Sequence, residues 1–327
     1  MIEVPGFADV QAAARRIAPY AVRTPLVESP VLSARTGGRV FLKLESLQRT
    51  GSFKFRGACN RILMIPEAQR AKGVVAFSSG NHAQGVAAAA ELFGIPALIV
   101  MPKDAPRAKI EGTRSYGAEV VTYDRVTDDR EAIAAKFVNE RGATLVKPYD
   151  DPGIMAGQGT AGLEIAEDAA RFGVTLDAVA TPCSGGGLVT GVALALKGAG
   201  LTASVHSVEP ENFDGMRRSL AAHARTAAPG GKLSIADALM APMPGHHVFA
   251  LADGLLAPGI AVSDEELSRA VAFAALKLKL LVEPGGTAPL AALLAGKLQG
   301  KNLALLISGG NADFEAVANA VRRHSHS

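Results

Sequence analysis

The stretch Val74-Val75-Ala76-Phe77-Ser78-Ser79-Gly80-Asn81-His82-Ala83-Gln84-Gly85, with the alanine-rich run that follows it to Leu92, decides the fold of this chain. Its first four residues form a short apolar run that is typical of a buried strand, and residues 83–92 are predicted to be helical. A glycine-containing polar turn separates the two patterns. The stretch is therefore one strand–turn–helix unit.

The same unit recurs along the chain. Short apolar strands that alternate with helices imply a parallel sheet with helices on its faces. After residue 92, strands are predicted over 97–101, 119–123 and 143–146, and helices over 108–116 and about 128–140. A looser set has strands at 40–45, 178–181, 204–208 and 303–307, helices at 9–18, 162–172, 187–195 and 267–281, and a loop at 225–244. The prediction is an α/β protein of two doubly wound lobes.

Composition excludes several classes of function. The chain has 327 residues, 48% hydrophobic, with a net charge of +3 spread along its length, which favours neither nucleic acid nor an anionic membrane as a partner. No apolar run approaches the roughly 18 to 20 residues of a membrane helix. Residues 1–10 lack an export signal, and Cys59 and Cys183 are too far apart for a CxxC motif, so neither a disulfide nor zinc is expected. A cytoplasmic location is expected.

Lys54 is the first candidate for chemistry. It lies between Phe53 and Phe55, where a glycine-containing turn gives way to a helical pattern. Burial against apolar rings penalises an ammonium and lowers its pKa, and a neutral lysine amine is what Schiff-base chemistry requires. A single lysine in this position also fits a side chain that merely extends over an apolar surface. Whether Lys54 is a reactive amine or a surface lysine therefore has to be decided from the other glycine-containing turns of the chain.

Two of those turns follow predicted strands and precede helices, where ligands bind in open α/β sheets. The turn at residues 78–85 offers Asn81 to a ring oxygen, and Ser78 or Ser79 to a carboxylate or a proton. The turn Cys183-Ser184-Gly185-Gly186-Gly187-Leu188 lets backbone amides approach a phosphate at a helix N-terminus. Because the dinucleotide fingerprint and the Walker motif are both absent, one terminal phosphate fits better than a pyrophosphate.

Two further turns complete a candidate site. Ser308-Gly309-Gly310-Asn311 places a neutral hydroxyl at a strand end, and Glu283 enters a proline–glycine turn. Together the turns supply an imine-forming amine, a phosphate cup, an amide for a phenolic oxygen and a hydroxyl for a ring nitrogen. These are the partners that pyridoxal 5′-phosphate requires.

The motifs resemble those of the fold-type II (tryptophan synthase β-like) pyridoxal-phosphate enzymes, within them the threonine/serine dehydratase and serine racemase group. They occur in the family's order over almost the whole chain. The matching motifs are Thr50-Gly51-Ser52-Phe53-Lys54-Phe55-Arg56-Gly57, Ser78-Ser79-Gly80-Asn81-His82, Ala156-Gly157-Gln158-Gly159-Thr160, Ser184-Gly185-Gly186-Gly187, Val208-Glu209-Pro210, Ile235-Ala236-Asp237, Glu283-Pro284 and Ser308-Gly309-Gly310-Asn311.

The resemblance implies a role for each matching residue. Lys54 would form the imine with the cofactor, and the remaining cofactor contacts would be Phe53, Asn81, Ser184, Gly185, Gly186, Gly187, Leu188, Glu283 and Ser308. Ser78, Ser79 and His82 would line the pocket for the substrate carboxylate, and Ser79 matches the opposite-face acid/base of racemases. A mobile small domain, residues 73–149, would close over a large domain formed by residues 1–72 and 150–327.

The chain departs from the family pattern in its candidate cation site. The family has a glutamate, an alanine four residues later and an aspartate two residues after that. This chain has Glu209, Phe213 and Gly215, with the second carboxylate displaced to Asp214. Glu209 is a candidate ligand for Mg²⁺, and the metal requirement stays open. The regulatory domain of isoleucine-inhibited threonine deaminases has no counterpart, so allostery of that type is not expected.

The expected reaction is β-elimination from a β-hydroxy amino acid. Lys54 would remove the Cα proton, the β-hydroxyl would leave, and hydrolysis would give a 2-oxo acid and ammonia. L-Threonine and L-serine are the expected substrates, and a homodimer is the family-level expectation. Arg130 would favour 3-hydroxyaspartate instead, and Ser79 would favour serine racemization. A non-catalytic amino-acid-binding module is the alternative from a different class, and a nicotinamide dehydrogenase lacks its fingerprint.

Overall fold

The computed structural model describes residues 3–105 and 107–325. Ten strands lie in this part of the chain, in two separate sheets. The strands are β1 (Leu26–Glu28), β2 (Arg39–Leu44), β3 (Val74–Phe77), β4 (Ala97–Pro102), β5 (Glu119–Tyr123), β6 (Thr144–Leu145), β7 (Ala178–Pro182), β8 (Ser204–Pro210), β9 (Ile260–Val262) and β10 (Asn302–Ile307).

Helices connect and cover the strands. Over the same described ranges, the α-helices are α1 (Phe7–Ile17), α2 (Pro30–Thr36), α3 (Lys54–Leu63), α4 (Glu67–Arg70), α5 (Asn81–Leu92), α6 (Arg107–Arg114), α7 (Arg130–Arg141), α8 (Pro152–Arg171), α9 (Gly187–Gly198), α10 (Gly215–Ala222), α11 (His246–Ala252), α12 (Asp264–Phe273), α13 (Ala288–Leu294) and α14 (Phe314–His324). None of these helices has the length and apolar character that a membrane span requires.

The smaller sheet is the one built from the opening strand–turn–helix unit. Its order is β5-β4-β3-β6 and every pairing is parallel, with Val74 of β3 opposite Ala97 of β4 and Thr144 of β6. The apolar residues of β3 are all buried, because helices cover the sheet. The predicted parallel sheet is confirmed.

The larger sheet has the order β1-β2-β10-β7-β8-β9. All of its pairings are parallel except the one between β1 and β2. Since β10 and β7 are parallel neighbours, the turns after Ile307 and Pro182 leave the same edge of the sheet. This topology brings two turns that are distant in sequence to one place.

Helix α8 begins at Pro152, ten residues before the predicted start at residue 162. Glycines lower helix propensity, and because several of them lie within residues 153–162, the sequence did not predict the first turns of this helix. They are tolerated because neighbouring backbones come very close. A Cβ at Gly157 would lie 2.7 Å from Gly57 Cα, and one at Gly159 would lie 2.7 Å from Gly191 O. Tertiary packing thus overrides local propensity.

Short elements and helix ends account for the other differences. Helix α1 starts at Phe7, and Asp9 lies in its first turn, where its carboxylate accepts the Gly6 N–H at 2.8 Å. The helix predicted over 267–281 has regular α geometry only to Phe273 and ends in a π-helical turn at Lys279, whose φ is +59°. Helices α2, α10, α11 and α13 are no longer than eight residues and were not predicted.

Candidate active site

The predicted turns meet in one cleft of about 390 Å³, to which segments of both sheets contribute. β3, β7 and β10 each end at this cleft, as the carboxyl-end rule for open sheets requires. Among the residues that line it are all the predicted cofactor and substrate residues, namely Phe53, Lys54, Ser78, Ser79, Asn81, His82, Arg130, Ser184, Gly185, Gly186, Gly187, Leu188, Glu283 and Ser308. Glu209 lies elsewhere.

Lys54 is the first residue of α3 and is held at the end of β10. The Phe53 N–H donates to Ser308 O at 3.0 Å, and Ser52 pairs with Gly309 in an isolated β-bridge. Lys54 Nζ donates to Pro148 O at 2.8 Å and lies 5.1 Å from the centroid of the Phe53 ring. Burial lowers the pKa of Lys54 to about 8, although the nearby carboxylate of Glu283 opposes the shift. The amine is therefore readily neutral.

The lowered pKa of Lys54 predicts how its reactivity depends on pH. The neutral amine attacks an aldehyde, and its fraction rises about tenfold per pH unit until the pKa of about 8 is reached. We expect the rate of pyridoxal-phosphate capture by the cofactor-free protein to rise to about pH 8 and then level off. Stopped-flow absorbance measures this rate. N-acetyl-lysine methyl amide, with a pKa near 10.4, is the control, and its rate should keep rising. A rate for the protein that follows the control would contradict the prediction.

Asn81, the first residue of α5, is held from both sides. Its Nδ2 donates to Glu283 Oε1 at 2.6 Å, and its Oδ1 accepts a hydrogen bond from Asn311 Nδ2 at 2.8 Å. Burial raises the pKa of Glu283 to about 7, and the hydrogen bond from Asn81 counteracts this rise. The contact requires a residue without a side chain at Gly309, because a Cβ there would lie 2.1 Å from Glu283 Oε1. Asn81 therefore presents a fixed amide to the cleft.

His82 is buried as a neutral imidazole. Its Nε2 lies 2.9 Å from Val146 O, and a carbonyl only accepts, so Nε2 carries the proton. Burial, reinforced by the charge of Lys54, lowers the pKa of His82 to about 3. Its Nδ1 is buried without a partner among the described residues. His82 thus offers the cleft an acceptor and no positive charge, so charge for a substrate carboxylate has to come from elsewhere.

The glycine turn has the properties of a phosphate site. It precedes the twelve-residue helix α9, and Gly186 has a φ of +92° that favours glycine. Gly185 packs under the Tyr149 ring, since a Cβ would lie 2.3 Å from its Cγ. The backbone N–H groups of Gly185 and Gly186 are buried and make no hydrogen bond within the described chain. Buried donors at a helix N-terminus fit an anion such as the cofactor's phosphate.

Ser184, Ser78 and Ser79 open the two turns. Ser184 Oγ accepts the Ala241 N–H at 3.1 Å, which ties the glycine turn to the loop at residues 225–244. Ser78 Oγ accepts the Gly80 N–H at 3.3 Å, whereas the half-buried Ser79 lines the cleft beside it. The turn at residues 78–80 therefore presents hydroxyls next to the N-terminus of α5.

The sequence analysis assigned no role to several other residues that line the cleft, among them Lys109, Asp237 and Tyr149. Lys109 of α6 and Asp237 form an ion pair of 2.6 Å that joins the segments flanking the two sheets. Tyr149 forms the wall over the glycine turn, and burial raises the pKa of its phenol. The sequence could have suggested two of them. Asp237 belongs to the matching motif Ile235-Ala236-Asp237, and Lys109 lies in α6, which follows the carboxyl end of β4. Nothing in the sequence around Tyr149 indicated that its ring would line the cleft.

Glu209 is not among the residues that line the cleft, and its carboxylate supports a helix. Its two carboxylate oxygens accept the N–H groups of Met216 and Arg217, both at 2.8 Å, at the start of α10. Asp214 is paired with the guanidinium groups of Arg217 and Arg218. No group of three potential metal-binding side chains occurs in residues 3–105 and 107–325. The carboxylates considered for Mg²⁺ thus already have protein partners.

These features define a class of protein, and comparisons with known proteins identify the family. The family described as "Pyridoxal-phosphate dependent enzyme" matches residues 17–309. The chain belongs to this family, which confirms the resemblance, the fold class and the predicted cofactor.

Individual relatives match over nearly the whole chain. An L-threo-3-hydroxyaspartate ammonia-lyase of a Pseudomonas species is 43% identical, over 98% of this chain and 100% of the relative. An L-threonine ammonia-lyase of Thermotoga maritima is 41% identical, over 96% of this chain and 78% of the relative. The solved structure of maize serine racemase has a TM-score of 0.91 and 35% identity, and the match covers 99% of this chain and 98% of that one.

Proposed function

We propose that the protein is a pyridoxal-phosphate-dependent ammonia-lyase that removes the β-hydroxyl and the amino group of L-threonine and L-serine, giving a 2-oxo acid and ammonia. The observation that carries the proposal is the meeting, in one cleft, of a readily neutralised lysine amine, a phosphate cup and the neutral hydroxyl of Ser308. The relatives named as ammonia-lyases support this class of reaction.

Different residues of the cleft would bind different parts of the cofactor. When bound, pyridoxal phosphate withdraws electrons from the substrate and thereby stabilises negative charge at Cα. Gly185, Gly186 and the N-terminus of α9 would hold its phosphate, and Ser308 would offer its ring nitrogen a neutral partner. A neutral partner leaves the ring a weaker electron sink, which favours departure of the β-hydroxyl over return of the proton to Cα.

Lys54 would take up the Cα proton. Its Nζ is the cleft amine whose hydrogen-bond partner is a backbone carbonyl, and its pKa of about 8 lies near working pH, as a general base requires. The hydroxyls of Ser78 and Ser79, together with the positive end of the α5 dipole, would hold the substrate carboxylate. The neutral imidazole of His82 would shape the wall beside them.

A substrate panel tests the proposal. The protein loaded with pyridoxal phosphate is incubated with L-threonine, L-serine, D-serine and the isomers of 3-hydroxyaspartate, each with and without Mg²⁺, and 2-oxo acid is measured. Fast release from L-threonine or L-serine is the expected result. Interconversion of L- and D-serine without release would instead support racemization through Ser79. A protein that neither takes up the cofactor nor transforms any of these compounds would be a binding module.

Arg130 favours a second candidate, 3-hydroxyaspartate. It begins α7, lines the cleft and lies with its guanidinium 5.3 Å from the Phe77 ring centroid. No hydrogen bond or ion pair within the described residues uses its guanidinium, whereas Lys109 is paired with Asp237 and Arg125 with Asp104. Arg130 is therefore the cleft cation available to a second carboxylate, and the Pseudomonas relative is named for such a substrate.

The Arg130→Ala variant distinguishes the two candidates. If Arg130 binds the β-carboxylate, kcat/KM for L-threo-3-hydroxyaspartate should fall about 10- to 100-fold more than kcat/KM for L-serine, the loss expected for one charged hydrogen bond. The exposed Arg114 of α6 provides the matched control, Arg114→Ala, which should leave the ratio unchanged. An equal fall for both substrates would reject 3-hydroxyaspartate as the preferred substrate.

We also propose a domain division, an oligomeric state and a location for the protein. The division into domains 1–72 plus 150–327 and 73–149, with a mobile small domain, is supported by the smaller sheet, whose strands all lie between Val74 and Leu145. A homodimer is proposed from the resemblance, and light scattering of the purified protein tests it. A cytoplasmic location is supported by two buried free cysteines, Cys59 and Cys183.

A further inference from the structure

We propose that Asn311 is a positioning residue that fixes the amide orientation of Asn81, so that its N–H donor and not its oxygen faces the cofactor. The proposal rests on the proposed function in one respect, namely that Asn81 contacts the ring oxygen of pyridoxal phosphate. Asn311 is not among the residues that line the cleft, so any effect it has on the cofactor must pass through its hydrogen-bond partners, Asn81 and Thr50.

The orientation begins at a group that cannot change its role. Asn311 Nδ2 donates to the backbone carbonyl oxygen of Thr50 at 2.7 Å. A side-chain amide can be turned by 180° to exchange its oxygen and nitrogen, but a carbonyl only accepts hydrogen bonds. Only the NH₂ group of Asn311 can therefore face Thr50.

The second hydrogen of Asn311 Nδ2 fixes the orientation of the next side-chain amide, that of Asn81. Asn311 Nδ2 also donates to Asn81 Oδ1, at 2.8 Å. The oxygen of Asn81 is thereby held on the side of Asn311, and its Nδ2 points the other way, where it donates to Glu283 Oε1 at 2.6 Å. Since Nδ2 carries two hydrogens, one remains for an acceptor in the cleft, which is what a phenolic oxygen needs.

The backbone around Asn311 leaves room for this relay, by which we mean the hydrogen bonds that run from Thr50 through Asn311 and Asn81 to Glu283. Thr50 has a φ of +62°, a conformation uncommon for residues other than glycine, and Gly51 follows with +72°. A Cβ at Gly51 would lie 2.4 Å from Asn311 Oδ1, and one at Gly309 would lie 3.3 Å from Asn81 Nδ2. Strained backbone persists where the surrounding structure requires it, often at functional sites. Here it aims the Thr50 carbonyl at Asn311.

The Asn311→Asp variant reverses the relay with almost no change of shape. At about pH 8 a carboxylate can only accept. Asn81 must then turn its NH₂ towards Asp and its oxygen towards Glu283 and the cleft. We expect the Kd of the cofactor-free protein for pyridoxal phosphate to rise about 10- to 100-fold, and the absorption maximum of the bound cofactor to shift. Asn319→Asp on the exposed face of α14 adds the same charge and should change neither.

A double variant separates positioning from folding. In Asn311→Asp with Glu283→Gln, the new glutamine NH₂ can donate to the turned Asn81 oxygen, so the Asn81 amide is paired on both sides again, whereas the Thr50 carbonyl still faces a carboxylate, as in the single variant. The melting temperature should rise above that of Asn311→Asp, while the Kd for pyridoxal phosphate stays at least about tenfold above the Kd of Glu283→Gln. Asn311→Ala, which frees the amide of Asn81 without reversing it, should weaken binding only about two- to tenfold.

Two results would overturn the proposal. One is an unchanged cofactor Kd and spectrum in Asn311→Asp, or in Asn311→Ala where the aspartate variant does not fold. The other is joint recovery of melting temperature and cofactor affinity in the double variant, which would show a purely structural role. Both results include the cofactor Kd and neither requires turnover, so they remain decisive even if the substrate panel rejects the ammonia-lyase function.

Discussion

Lys54→Ala should abolish both 2-oxo acid release and covalent retention of pyridoxal phosphate. The other lysine that lines the cleft, Lys109, is bound to the carboxylate of Asp237 at 2.6 Å, whereas Lys54 Nζ donates to a backbone carbonyl. General-base catalysis alone contributes about 100- to 10,000-fold, so a fall of about 1,000-fold or more in kcat is expected. Loss of the covalent attachment adds to it.

Two measurements separate chemistry from folding. Borohydride reduction followed by mass spectrometry should find pyridoxal phosphate on Lys54 in the wild-type protein and none in the variant. The melting temperature of the cofactor-free variant should not lie below that of the cofactor-free wild type, because the substitution removes an amine whose burial disfavours its charged form. Lys197→Ala, at an exposed position near the end of α9, is the matched control for removal of a lysine. A coloured and active Lys54→Ala protein would contradict the assignment.

The strand–turn–helix units and their turns could be predicted because local pattern and topology agree there. Residues 74–77 and 119–123 are strands in the structure with the predicted bounds. Once the strands are parallel, the carboxyl-end rule brings their turns together without any knowledge of side-chain contacts. That is why Ser78, Ser184 and Ser308 could be assigned to one site from sequence alone.

What could not be predicted depends on partners that are distant in sequence. The first turns of α8 are helical because glycines on three helices meet, which no local propensity reports. The neutral state of His82 follows from its burial and from the nearby charge of Lys54, and Val146 O fixes which ring nitrogen carries the proton. Likewise, the two glutamates proposed for cofactor and metal differ in surroundings: Glu283 faces the cleft, whereas Glu209 supports α10.

The same limit applies to the charges beneath Lys54. Arg56, two residues further along α3, is 1% exposed and binds Glu45 through Nε at 2.7 Å and Glu164 through Nη1 at 2.8 Å. Lys43, also buried, binds Glu164 at 2.5 Å. The sequence shows two basic and two acidic residues spread over β2, the turn that follows it, α3 and α8, and only the fold reveals that two charges of each sign lie together. This cluster anchors the first turn of α3, on which Lys54 lies.

Arg56→Met should therefore destabilise the protein strongly, by about 3–5 kcal/mol in the free energy of unfolding. The variant leaves Glu45 and Glu164 facing a single cation, Lys43, in a site that excludes water. Methionine matches most of the arginine's volume, so the loss reports the unbalanced charge and not a cavity. Urea unfolding followed by circular dichroism measures it.

The double variant Arg56→Met with Glu45→Gln tests this explanation. It removes one charge of each sign and leaves Lys43 and Glu164 as a balanced pair, so it should cost clearly less than the sum of the two single variants. Additive losses would show that Arg56 acts through packing or hydrogen bonds alone. Because α3 carries Lys54 on its first turn, the balanced double variant should also recover more cofactor binding than Arg56→Met, which would tie the buried charge balance to the placement of the reactive amine.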